Sequence, residues 1–129
     1  MRILLDTQVW LWMLAAPDRL SRKTRTLVVS TDSELLLSAA SAWEIAMKYG
    51  LGKLHLPESP DAYIPRLMSR TGITPLPVHH RHALHVATLP AHHGDPFDRL
   101  LIAQAQLEEL PILTADRTFR RYDVTVLSA

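Results

Sequence analysis

The chain has 129 residues, 47% of them hydrophobic, and a formal net charge of +1. This is enough apolar material for one domain around one sizeable core, and it excludes a disordered chain. The absence of cysteine excludes disulfides and thiolate metal sites and fits a reducing, cytoplasmic setting. The charge neither demands nor excludes a nucleic-acid partner, although a dedicated duplex-DNA binder is usually more basic.

Met1-Arg2-Ile3-Leu4-Leu5-Asp6 has only a short apolar run before an acid, unlike a signal peptide. No apolar stretch approaches the roughly 18 residues of a membrane span. Residues 2–5 predict a short buried strand ending at Asp6. Residues 7–15 follow as an apolar helix with Val9, Trp10, Leu11, Trp12 and Leu14, broken by Pro17-Asp18. Ser21 can cap a second helix, 21–30, whose wet face carries Arg22, Lys23 and Arg25. Leu35-Leu36-Leu37 predicts the second strand. Ser38 or Ser41 opens a helix to about Tyr49, with Gly50 as its stop. Residues 51–57 are a connection, and Ser59-Pro60 starts a helix that ends near Gly72.

Residues 73–77 predict a third strand, weakened by Pro75 and Pro77. Residues 79–88 predict a short histidine-rich helix. In the next segment Gly94 allows a turn, Asp95 can cap, and Pro96 suits the first helical position. The helix 96–109 then carries Phe97, Leu100, Leu101 and Ala105 at helical spacing. Residues 111–114 predict the fourth strand, Phe119 sits in a single helical turn, and residues 124–127 predict the fifth strand. Short apolar strands alternating with helices predict an α/β fold with a parallel sheet of four to five strands, covered on both faces. With no repeat and no long linker, residues 1–129 are expected to form a single domain.

Four acids stand where such a sheet would place a site. Asp6 follows the first strand and Asp116 the fourth, at the carboxyl edge where ligands gather. Glu44 and Asp98 lie on helices that begin at that edge. Each has a structural alternative. Asp6 can cap the next helix, and Asp116 the turn before Phe119. Glu44 can pair with Lys48 or complete a capping box with Ser41. Asp98 complements the helix dipole, and Asp95 reads mainly as a cap. Together, however, clustered carboxylates repel unless a cation neutralises them. Carboxylates without cysteine select hard cations, Mg²⁺ or Mn²⁺. Such an ion can acidify a water and neutralise phosphate, and phosphodiester hydrolysis best uses these parts.

The chain resembles the PIN-domain ribonucleases of the VapC toxin type. The resemblance lies in Leu4-Leu5-Asp6-Thr7, in Ser38-Ala39-Ala40-Ser41-Ala42-Trp43-Glu44-Ile45 with Lys48 and Gly52-Lys53-Leu54, in Asp95-Pro96-Phe97-Asp98-Arg99-Leu100-Leu101-Ile102-Ala103-Gln104-Ala105, and in Leu113-Thr114-Ala115-Asp116. Any one segment is weak; all four in this order are fairly specific. The resemblance implies a three-layer α/β/α sandwich and a Mg²⁺ or Mn²⁺ site lined by Asp6, Glu44, Asp98 and Asp116. It also implies endonucleolytic cleavage of RNA, an inhibitory antitoxin partner that often binds operon DNA, and a homodimer. In that reading Asp6 and Asp98 contact the metal. Glu44 completes the shell or orients water, and Asp116 acts directly or through a bound water. Ser38 and Thr114 hydrogen-bond the carboxylates. With Arg99 and Arg117 they are the candidates for substrate contact, and Arg117, Arg120 and Arg121 form a basic run that can track an RNA backbone.

Three other readings compete. His79, His80, His82 and His85, with His92 and His93 beyond, have spacing that zinc can use, but no H-E-x-x-H motif is present. Surface or loop histidines are the default, and His92 or His93 can approach the RNA. A non-catalytic protein-binding module would keep the fold and use Trp10, Trp12, Met13 and Leu14 as a patch, although such a stripe is more often core. A phosphatase would need a second aspartate two residues after the first, and Asp6-Thr7-Gln8 lacks it.

Overall fold

The computed structural model describes residues 1–129. Its strands are β1 (Arg2–Leu5), β2 (Glu34–Ser38), β3 (Thr74–Leu76), β4 (Ile112–Thr114) and β5 (Val126–Ser128). They form one sheet in the order β3-β2-β1-β4-β5, and every pairing is parallel. Six helices cover it: α1 (Thr7–Ala15), α2 (Arg22–Val29), α3 (Ala39–Gly50), α4 (Pro60–Thr71), α5 (His80–His85) and α6 (Pro96–Glu108). The expected three-layer α/β/α architecture is the observed one. No helix is long and apolar enough to cross a membrane.

The buried stretches Ile3–Leu5, Leu35–Leu37 and Ile112–Leu113 of the inner strands are continuously apolar because the sheet is buried on both faces. Along β1 the side chains alternate: Leu4 joins one core cluster, while Ile3 and Leu5 join the other. The first cluster also holds Leu36, Ile112 and the α6 residues Leu101, Ile102 and Ala105. The second holds Leu35, Leu37 and Leu113 with Val9, Trp10, Ile45 and Ile64 from α1, α3 and α4. The apolar stripe of α1 is therefore core, since Trp10 is fully buried and Trp12, Met13 and Leu14 pack against the same cluster. Pro75 is tolerated because β3 is an edge strand with β2 as its one partner.

Several boundaries shift by a residue or two, and three differences have a local cause. The left-handed residue after α3 is Gly52, at φ 72°, while Gly50 stays inside the helix. The segment 79–88 divides into α5 and a 3₁₀ turn over Val86–Thr88. The last strand starts two residues later than predicted, after the Val124 N–H bonds to the Tyr122 carbonyl at 2.9 Å.

The connectivity locates the functional edge. β1 lies between β2 and β4, so successive strands are laid down on one side of β1 and then on the other. Such a switch point leaves a crevice at the carboxyl ends of the central strands.

Candidate active site

Asp6 is the first residue beyond β1, beside Thr114 at the end of β4. The register pairs Leu5 with Leu113, and the Asp6 N–H donates to the Leu113 carbonyl at 3.0 Å. Asp6 holds the N-cap position of α1, but its side chain makes no capping bond there. Instead Oδ2 accepts a 2.7 Å hydrogen bond from the Thr114 hydroxyl. That hydroxyl also accepts from the Asp116 N–H at 3.0 Å. One threonine thus links the acids after the two central strands.

Glu44 is 6% exposed on α3. Its Oε2 accepts from Lys48 Nζ at 2.6 Å, the helical ion pair expected from the spacing. Its Oε1 is buried with no hydrogen-bond partner. A buried, orphaned carboxylate oxygen is costly unless something positive meets it. The capping box proposed for Ser41 does not form. Ser38 is the cap of α3, and Ser41 receives a 2.7 Å bond from the Thr7 hydroxyl that pins α1 to α3.

Asp95 and Asp98 divide the work at the start of α6. Asp95 Oδ1 accepts from the N–H groups of Phe97 at 2.8 Å and Asp98 at 3.2 Å, a side-chain cap. Asp98 is left free of capping and faces His93, with Oδ2 3.0 Å from Nε2. Asp116 caps the turn Arg117–Arg121 through Thr118 N–H at 2.9 Å, and its other oxygen meets the same His93 nitrogen at 2.9 Å.

These groups share a cleft of about 430 Å³ lined by Asp6, Glu44, Asp95, Asp98 and Asp116, with Lys48 and Lys53 as its cations. The imbalance shows in the protonation of the acids. Burial raises the Asp98 carboxyl to about 8, and the charges of Asp6, Asp95, Glu44 and Asp116 push the same way. Burial also raises Asp6, against the Thr114 hydrogen bond, and Glu44 and Asp116 add to the rise. At Asp116 burial is outweighed by hydrogen bonds from Thr118 and His93, and the carboxyl is held below its ordinary range. Lys48 is raised first by its hydrogen bond to Glu44. An all-oxygen donor set, with an orphaned oxygen and a carboxyl driven to hold a proton, fits a hard divalent cation.

All four expected acids meet in this cleft, and Thr114 binds a carboxylate as expected. Two other candidates do not belong to it. Ser38 Oγ accepts from the Ala40 N–H at 3.0 Å, and the residue lines an apolar hollow between α3, α4 and β3. Its full burial is tolerated because that cap satisfies the hydroxyl. Arg99 donates to the carbonyls of Pro90, Val86 and Leu89 and to the Tyr122 hydroxyl, so its guanidinium is occupied by the chain itself. Arg117 lines a smaller hollow next to the cleft, with Asp116 and Arg120. His82 and His85 meet Glu108 and Gln106 rather than one another. The residue least visible in the sequence is His93, since its signal is only that it lies five residues before Asp98 on a turn.

The chain is similar in sequence or in fold to several known proteins. Ribonuclease VapC16 of Mycobacterium tuberculosis is 51% identical over 63 residues, which is 49% of this chain and 45% of that protein. The chain thus spans under half the length of that relative. VapBC2 from Rickettsia felis, bound to a DNA fragment from its promoter, superposes with a TM-score of 0.75 at 16% identity, over 100% of this chain and 99% of that one. DNA-bound VapBC from Salmonella typhimurium gives 0.73 at 19% identity, over 99% and 98%. The profile of the PIN domain matches residues 3–124. With the strand order, the switch-point cleft and its acids in place, that match over nearly the whole length establishes that the chain belongs to the PIN domain family.

Proposed function

We propose that the protein is a divalent-metal-dependent endoribonuclease and the toxin of a toxin–antitoxin pair. The observation that carries this is the convergence of Asp6, Glu44, Asp98 and Asp116 on one cleft, where too few cations balance them. The resemblance to a protein named Ribonuclease VapC16 and to the VapBC structures supports the choice of substrate and partner.

Asp6, Glu44 and Asp98 would hold Mg²⁺ or Mn²⁺, with Asp116 contributing directly or through a water. When bound, the ion supplies an acidified water and neutralises charge on the phosphodiester. Thr114 fixes Asp6 through its 2.7 Å hydrogen bond. Asp95 and the start of α6 fix Asp98. Lys48 and Lys53 at the cleft offer positive charge to the incoming backbone, and Arg117 beside Asp116 suits a flanking phosphate. A cognate antitoxin and a second copy of the chain are the proposed protein partners, in the cytoplasm.

The test is incubation of the protein with structured RNA and Mn²⁺, with and without EDTA, beside Asp6→Asn. Cutting that EDTA and Asp6→Asn both abolish supports the reading. Intact RNA under every condition defeats it and leaves a protein-binding module.

A further inference from the structure

Tyr122 anchors a loop that aims one histidine at the acid cleft. Its hydroxyl accepts from the backbone N–H of His92 at 3.0 Å and of His93 at 2.7 Å, and Arg99 reaches it at 3.3 Å. The His93 ring stands edge-on to the buried Phe119, with centroids 5.7 Å apart. Its side chain is 14% exposed.

The hydrogen bonds assign the ring's tautomer. Nδ1 accepts from the Asp95 backbone N–H at 3.1 Å, so it presents a lone pair and the ring proton sits on Nε2. Nε2 lies 3.0 Å from Asp98 Oδ2 and 2.9 Å from Asp116 Oδ2. The three side chains offer ligand atoms within 4.8 Å of one another, which resembles a metal-binding trio. A metal-bound Nε2 would instead need the proton on Nδ1, where it would point at the Asp95 N–H. Two donors would then face each other, and the cap of α6 that places Asp95 and Asp98 would be disturbed. In this geometry Nε2 is a donor, not a ligand.

We propose that His93 is a positioning residue. Its Nε2–H donates to Asp116, beyond β4, while the ring lies against Asp98 at the start of α6, so that His93 holds Asp116 at a fixed place beside Asp98, Asp6 and Glu44. It rests on the metal-dependent reading above, and assigns His93 to the support of the acids rather than to the cation.

The experiment measures Mn²⁺ binding to the full chain by calorimetry and electron paramagnetic resonance, with no RNA present. His93→Phe keeps a ring against Phe119 and removes the donor; His93→Gln keeps a donor and removes the ring. Loss of a hydrogen bond behind a ligating carboxylate is expected to weaken Mn²⁺ binding about 10–100-fold in His93→Phe, with His93→Gln recovering to within roughly 3-fold of the parent. Pulsed measurements on the unsubstituted protein should show no nitrogen bound directly to Mn²⁺, a result that does not depend on any variant folding. Parent-like affinity in His93→Phe, equal weakness in His93→Gln, or a directly bound nitrogen overturns the proposal alone. A parent chain that binds no Mn²⁺ overturns the nuclease reading and this one with it.

Discussion

The protein uses one histidine arrangement twice, and the two outcomes differ. His82 accepts the His79 N–H on Nδ1 at 2.9 Å and meets Glu108 with Nε2 at 2.8 Å. His93 accepts the Asp95 N–H on Nδ1 and meets Asp98 and Asp116 with Nε2. Around His82 there is one acid, and Arg81 joins it. The hydrogen bond from His82, with Arg81 behind it, holds Glu108 below the ordinary carboxylate range against the effect of burial. Around His93 the acids outnumber the cations, and Asp98 is driven up to about 8 by burial and then by its neighbours. A balanced cluster ties α5 to α6. An unbalanced one stores repulsion that a cation can relieve. Charge balance, more than residue type, separates structure from chemistry here.

The largest effect should come from removing charge at the unbalanced end. In the proposed nuclease, Asp98→Asn is expected to cut RNA cleavage in Mn²⁺ by roughly 10³-fold, because loss of the proposed ligand removes several kcal/mol of transition-state stabilisation. Glu108→Gln, at the balanced end, should leave cleavage within about 2-fold. Equal losses in the two variants, measured on one RNA under one set of conditions, would erase the distinction.

Stability should respond in the opposite sense. His82→Phe leaves the His79 N–H without its acceptor and Glu108 with Arg81 alone, and the expected cost is about 1–3 kcal/mol in denaturant unfolding. The same variant should bind Mn²⁺ as the parent does. A weakened Mn²⁺ site with unchanged stability would mean that the two clusters have been assigned the wrong way round.

The pH dependence sharpens the contrast further. The folded, ion-free protein keeps a proton on Asp98 up to about pH 8, whereas the unfolded chain loses it near the ordinary value of 3.8. Between those values the folded state binds more protons, so this group makes stability fall as pH rises. Asp116 and Glu108, both held below their ordinary range, stabilise above that range and lose their contribution as pH falls below it. In the proposed site Mn²⁺ displaces the Asp98 proton, so its affinity should climb from pH 5 to pH 8 and then level. Melting curves with and without Mn²⁺ across that range test this. A stabilisation by Mn²⁺ that does not change with pH would refute it.

The last change concerns Lys48, which is half exposed and holds the buried Glu44 at 2.6 Å. Lys48→Met should lower ion-free stability by about 1–3 kcal/mol, since it takes from the buried Glu44 carboxylate its one hydrogen-bond partner. With its competitor gone from Glu44, the cleft should bind Mn²⁺ somewhat more tightly in the same titration. Weaker binding would show that Lys48 helps shape the site instead of competing for it.

Much of the molecule can be read from the chain alone. The apolar runs at 3–5, 35–37 and 112–113 mark central strands because a parallel sheet hidden on both faces demands continuous apolar side chains. Asp6, Glu44, Asp98 and Asp116 are visible as acids at strand ends and helix starts, and Asp95-Pro96 as a cap. Such features are local, set by periodicity, propensity and the backbone donors at a helix start.

Tertiary structure alone decided the rest, because hydrogen-bond partners distant in the chain leave no pattern in it. Thr114 lies 108 residues from the Asp6 it holds. Ser38 and Thr114 are both hydroxyls at strand ends, yet the first turns back to cap α3 and the second reaches a neighbouring strand's carboxylate. Arg99, beside Asp98 in sequence, points to the 86–90 carbonyls since successive residues of a helix do not share a face. His93 becomes part of the site because Tyr122, 29 residues away, fastens its loop. Local physics made the elements and put acids at their ends; long-range packing chose which polar groups those acids would meet.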